Sequence, residues 1–334
     1  MSEEISYHDN TSLTATEMGK LWVTYIGNSM GKCVLTYYLK NVDDLEIKSV
    51  LNDALTLSED ILHRIKEIFH QSNFPVPKGL TTEEDVNLDA PRLFADEFYL
   101  YYLGYTGRAG MSLYNAGIPI ITRKDIRDFL AETLQRTVEL ISSVNEVLKS
   151  KGIFYGGPDI PTPKKIDFIK SQSYLNGFFG DKRPLHGLEI GHLYDDINND
   201  TTSKALIVAF KQVVQDQKIK RYFERGKNIN HRHITTATEM LYKDNLPAPP
   251  LLDQMVTDST IPPFSDKLML FHKMDMFSMK IRSYANGASL NGRRDIGAMY
   301  ARFIMDVTLY VEDGANIMID NGWMEQPPSA LDRG

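Results

Sequence analysis

Apolar positions recur at helical spacing along almost the whole chain. The first run is Met18, Leu21, Trp22, Tyr25, Cys33 and Tyr37, and such spacing marks one face of a helix. It predicts a helix over 15–41, opened by the capping-box pair Thr14 and Glu17. The second run is Ile47, Leu51, Ala54, Ile61, Ile65 and Ile68, which predicts a helix over 44–72 with Asp43 as its cap. Residues 74–90 contain prolines and acids, lack periodicity and read as a loop. A third helix is expected over 91–116. Pro91 suits its first turn and Gly117 a left-handed cap. Gly104, Gly107 and Gly110 in its middle predict close packing of a neighbouring helix. Thr122, with Asp125 three residues on, opens a fourth helix that runs to about 151.

The same pattern then starts again. With a shift of 172 positions, Glu17, Gly19 and Leu21 fall on Glu189, Gly191 and Leu193, and Asn73, Pro75 and Pro77 on Asn245, Pro247 and Pro249. The loop that follows is two residues shorter in the second copy, so the shift becomes 170. Phe94, Tyr114, Arg123 and Gly152 then match Phe264, Tyr284, Arg293 and Gly322. A fixed long period must be recognised before any fold is assigned. The second copy predicts helices at about 187–213, 215–244, 264–287 and 292–321.

Four amphipathic helices per copy make a four-helix bundle. Helices one and two are joined by one or two residues, and helices three and four by about five. The loop between helices two and three has about 18 residues, enough to run the length of a bundle at roughly 3.3 Å per residue. The expected fold is all-α: two tandem ferritin-like four-helix bundles, with helix three parallel to helix two. The expected boundaries are 1–157 for the first bundle, 158–185 for a junction and 186–334 for the second bundle. Phe178, Phe179 and Leu185 beside a Gly-Asp turn predict a junction buried between the bundles.

The chain has 334 residues, room for two domains of ordinary size. Its net charge of −7 argues against a nucleic-acid or anionic-membrane surface. No apolar run approaches the roughly 18 residues of a membrane span. The polar, acidic start MSEEISYHDN does not read as a signal peptide. The single cysteine, Cys33, excludes an intramolecular disulfide and reads as a buried helix thiol.

The tandem copies, the loops FPVPKGL and LPAPPLLD, and the junction GFFGDKRPLHGLEIGHLY resemble a domain-of-unknown-function family of spore-forming bacteria. Its members are tandem ferritin-like bundles described as spore coat proteins. The resemblance covers nearly the whole chain. It implies a structural or interaction protein, cytoplasmic or spore-associated, and brings no catalytic motif.

A di-iron site would need Glu-x-x-His on two helices. One such spacing stands out, Glu189 to His192, and its counterpart is Glu17 to Lys20. Glu17, Arg123 and Asp125, with Glu189, Arg293 and Asp295, read instead as caps and salt bridges at one bundle end. Midway along the second bundle lie Asp200, His231, His233, His272, Asp275 and Asp306. Their first-copy counterparts are Asn28, Glu59, Ile61, Tyr102, Tyr105 and Arg136. A metal, if bound, is therefore expected only in the second bundle, at His233 and His272 with Asp275 or Asp306. Imidazole with carboxylate suits iron, zinc or manganese. The leading expectation remains a non-enzymatic protein without a cofactor, whose histidines serve the fold. It would act through protein partners or self-association.

Overall fold

The computed structural model describes residues 12–332. The first copy contains α1 (Ala15–Asn41), α2 (Leu45–Gln71), the one-turn α3 (Thr82–Asp85), α4 (Asp96–Gly117) and α5 (Lys124–Ser150). The second contains α6 (Gly187–Val213), α7 (Gln217–Lys243), α8 (Asp266–Ser289) and α9 (Arg294–Asp320). Among the described residues no strand occurs, only two isolated bridges. The fold is all-α, built from two duplicated bundles.

Bundle-end contacts fix the connectivity. Glu17, in the first turn of α1, accepts the N–H groups of Thr122 and Arg123 at the start of α5. Arg123 in turn donates to Ser72, just past α2. At the other end Asp96, which begins α4, accepts the N–H groups of Asp43 and Asp44 between α1 and α2. Helix α4 therefore begins where α2 begins and runs parallel to it, and residues 72–95 make the crossover. The second copy repeats both ends: Glu189 accepts from Gly292 and Arg293, and Asp266 from Gln215 and Asp216.

Several local expectations are corrected. Helix α4 starts at Asp96 rather than Pro91, because residues 93–95 pair with the other copy's crossover. Asp44 caps α2, while Asp43 is drawn to Arg92. The Thr122 hydroxyl donates to Glu17 instead of capping α5. Gly117 has φ −83°, so it is not a left-handed cap; a Cβ there would sit 3.3 Å from Leu130. Gly107 does serve close packing, since a Cβ would lie 2.3 Å from Ile141. Cys33 is buried, and burial pushes its thiol up to about 12.

The two copies meet through α1, α4, α6, α8 and the crossovers, not through the junction. The contacts come in mirrored pairs. Val86 bridges Phe264, and Phe94 bridges Val256. Ser265 N–H donates to Asp85 O, and Ala95 N–H to Met255 O. Asn87 N–H donates to Pro263 O, and Thr257 N–H to Leu93 O. Each contact becomes its partner under the 170-residue shift. This is the isologous geometry of a two-fold dimer, where residue i meets j and j meets i. A single apolar cluster runs across it, with Tyr37 and Phe210 both edge-on to Phe264.

The junction is not buried between the bundles. Leu185 is buried at 7 % exposure, but Phe178 is 59 % and Phe179 88 % exposed. The segment docks on the second bundle alone. A Cβ on Gly177 would lie 2.3 Å from the backbone nitrogen of Asp295, so only glycine lets the chain press so close. Lys182 pairs with Asp295 and Arg183 with Glu189 beside it. The neighbouring rings are left in solvent, as are Ile166, Phe168 and Ile169 upstream.

Candidate functional site

The core of the second bundle holds a charged layer that the alternation of apolar positions conceals. Lys273, Met276, Lys280 and Tyr284 lie on one face of α8, at helical spacing. Both lysines are buried. Lys280 Nζ lies 2.7 Å from Asp200 Oδ1 on α6 and donates to Asn230 on α7. Lys273 Nζ donates to the carbonyl and hydroxyl oxygens of Ser203, both at 2.9 Å. The Tyr284 hydroxyl donates to Asp200 at 2.8 Å. One turn earlier on α6, Asp196 accepts from Tyr300 at 2.9 Å and from Ser283. Burial of an ion without a partner is costly, which is why each member of the layer is bound to another.

Burial dominates the acidities. It pushes Lys273 well below the ordinary lysine range and lowers Lys280, against the pull of Asp200. It raises the Asp196 carboxyl to about 8, although Ser283 and Tyr300 hydrogen bonds favour the anion. Asp196 is therefore largely protonated at neutral pH. At the bundle end the balance reverses. Burial alone would raise Glu189, but Arg183 and the N–H groups of His186 and Gly292 hold it down at about 2.

The sequence-predicted ligands are split between two places. His233 is buried on α7, stacked on Phe303 at 3.8 Å between centroids. Its ring nitrogens face the Tyr284 hydroxyl at 3.1 Å and Asp306 at 3.3 Å. Burial lowers His233 to about 4 despite the opposing pull of Asp200 and Asp306. His272 instead faces the other copy, with Nε2 2.8 Å from the Tyr102 hydroxyl, and burial lowers it to about 3. Asp275 lines a cavity in the first bundle, and burial raises its carboxyl above the ordinary range. Among the described residues no group of three or more His, Cys, Asp or Glu side chains is placed to hold a metal ion. The proposed set of His233, His272, Asp275 and Asp306 is thus not brought together. His231 is exposed. Arg136 does not enter the first core either, but pairs with Asp60 at its edge.

The first bundle has no such charged layer. Leu103, Gly107 and Gly110 stand where the second copy has Lys273, Phe277 and Lys280, and Gly31 and Asn28 stand for Ser203 and Asp200. A cavity of about 150 Å³ occupies that level. The sequence reading missed Asp196, Lys273, Lys280 and Asn230. The available signal was the pair of lysines seven residues apart on the apolar face of α8.

The DUF3231 family, whose members are proteins of unknown function, matches residues 4–166 and again 173–334. No curated protein matches the chain. Among solved structures, that of a "putative spore coat protein" from Bacillus halodurans C-125 is 17 % identical. The match covers 45 % of this chain and 98 % of that one, with a TM-score of 0.40. Matched twice over nearly its whole length, the chain belongs to the DUF3231 family of proteins of unknown function and carries two copies of its domain.

Proposed function

We propose that this chain is a non-enzymatic structural or interaction protein that works through contacts with other protein chains. One observation carries the reading: the junction exposes Ile166, Phe168, Ile169, Phe178 and Phe179. Exposed apolar groups clustered on one short segment are a common mark of an interaction surface. The buried charges of the second bundle support the same reading, because they bind one another and build a core. No helix among the described residues is long and apolar enough to cross a membrane. Association with the spore is part of the proposal, supported by the sequence resemblance to families of spore-forming bacteria.

Sedimentation velocity of the wild type beside a Phe168→Ser, Phe178→Ser, Phe179→Ser variant tests the surface. Self-association lost in the variant supports it. A wild type that stays monomeric at tens of micromolar, with no protein retained from spore or cell extract in comparison with the variant, removes it. Immunodetection in purified spores and in cytosol tests the location.

A further inference from the structure

The duplication supplies its own control for the cavity. The same level is filled in one copy and hollow in the other. Asn199 and Ser203 stand in the second bundle where Gly27 and Gly31 leave space in the first, while Ile141 and Tyr114 take up the room beside Gly107 and Gly110. Around the void a Cβ on Gly27 would meet nothing within 4 Å, and one on Gly31 would meet only Ser58 Oγ, at 3.7 Å.

We infer that the first bundle binds one compact neutral molecule, a single ring with one hydroxyl-type group, in this cavity. The inference is independent of the junction and of the interaction role proposed above. Size comes from the volume: a largely apolar pocket of about 150 Å³, partly open to solvent, has room for a benzene-sized guest. Shape comes from the walls, where Tyr105, Tyr114, Leu57 and Ile61 supply apolar and aromatic surface.

Charge comes from α8 of the other copy. Asp275 and Arg282 both reach the lining. Arg282 pulls the Asp275 carboxyl down against the larger upward push of burial. A cationic guest would meet Arg282 and an anionic guest Asp275, so a neutral one is favoured over either. Two of the three tyrosine hydroxyls are already committed, Tyr102 to His272 and Tyr105 to the carbonyl of Met276. Asn28 donates to Thr24. Asp275 is the carboxyl available to anchor the guest.

The test uses the full chain with benzyl alcohol, benzylamine and benzoate as matched probes. Benzyl alcohol at ten times its Kd should raise the unfolding midpoint by about 2 °C, and the charged pair should not. Calorimetric titration should find one site per chain. Gly31→Leu and Gly27→Leu should each raise the midpoint without a probe and abolish the benzyl alcohol shift. No shift with benzyl alcohol, a stoichiometry of two, equal binding of a charged probe, or a shift that survives in a folded filled variant would each overturn the proposal. If neither variant folds, the wild-type stoichiometry and probe ranking decide alone.

Discussion

Tyr102 and His272 are the same position in the two copies, and they touch each other. The hydroxyl and Nε2 are 2.8 Å apart, both fully enclosed. A residue can meet its own counterpart only where a two-fold axis passes between them, so this pair marks the axis relating the halves. His272 Nδ1 has no partner, which leaves Tyr102 as the ring's one bond to another side chain.

Tyr102→Phe should therefore cost about 1–3 kcal/mol, because it strips a buried imidazole of that bond while changing little volume. Urea unfolding monitored by helical dichroism measures it. A change below a few tenths would mean that the pair contributes nothing to joining the halves.

Acid should weaken the fold before most carboxylates are protonated. His233 is lowered to about 4 and His272 to about 3, against about 6.5 in an unfolded chain. The unfolded chain takes up protons that the folded one refuses. Their stabilising effect is full above pH 6.5 and is lost as pH falls through 4 and 3. The loss is on the order of 3 kcal/mol for His233 and 5 kcal/mol for His272. His233→Gln with His272→Gln should flatten the decline between pH 6.5 and 4; an unchanged slope would refute the assignment.

Asp196 should act with the opposite sign. Its folded value of about 8 lies above the roughly 3.9 of an unfolded aspartate. The unfolded chain ionises first, so stability falls as pH rises from about 4 and levels off above 8. Asp196→Asn keeps one oxygen as acceptor, offers its amide NH₂ to the other hydroxyl, and removes the titration. It should gain on the wild type steadily from pH 5 to pH 8 in thermal unfolding. Equal pH profiles would show that the carboxyl ionises normally.

Lys280→Met should destabilise by about 3–5 kcal/mol, since it strands Asp200 in the core. Adding Asp200→Asn should recover most of that loss. If the double variant is no better than the single one, the ion pair is not the source of the cost.

The fold was readable because its signals are local. Capping pairs such as Thr14 with Glu17, stripes such as Ile47 to Ile68, and a long loop between short ones each specify their own element. The interface was not readable. Val86 meets Phe264 and Tyr102 meets His272 only because an axis relates the halves, and no spacing encodes an axis. Phe178 and Phe179 were expected inside on hydrophobicity alone. Gly177 decided otherwise, by bringing the chain hard against the backbone at Asp295. At the candidate site, His233 Nε2 and Asp306 lie 3.3 Å apart. His272 is one residue round the helix from Lys273, and that step turns it from its own core toward the other bundle.

The segment between Ser150 and Gly187 joins two halves whose interface is that of a dimer. Tethering converts their encounter into an intramolecular one, with a local concentration in the millimolar range that does not fall when the protein is scarce. It also removes a constraint. Two subunits made from one message must carry the same residue at the axis and the same core. Here a tyrosine can face a histidine, and a hollow bundle can stand beside a filled one, because each half is now free to change without the other.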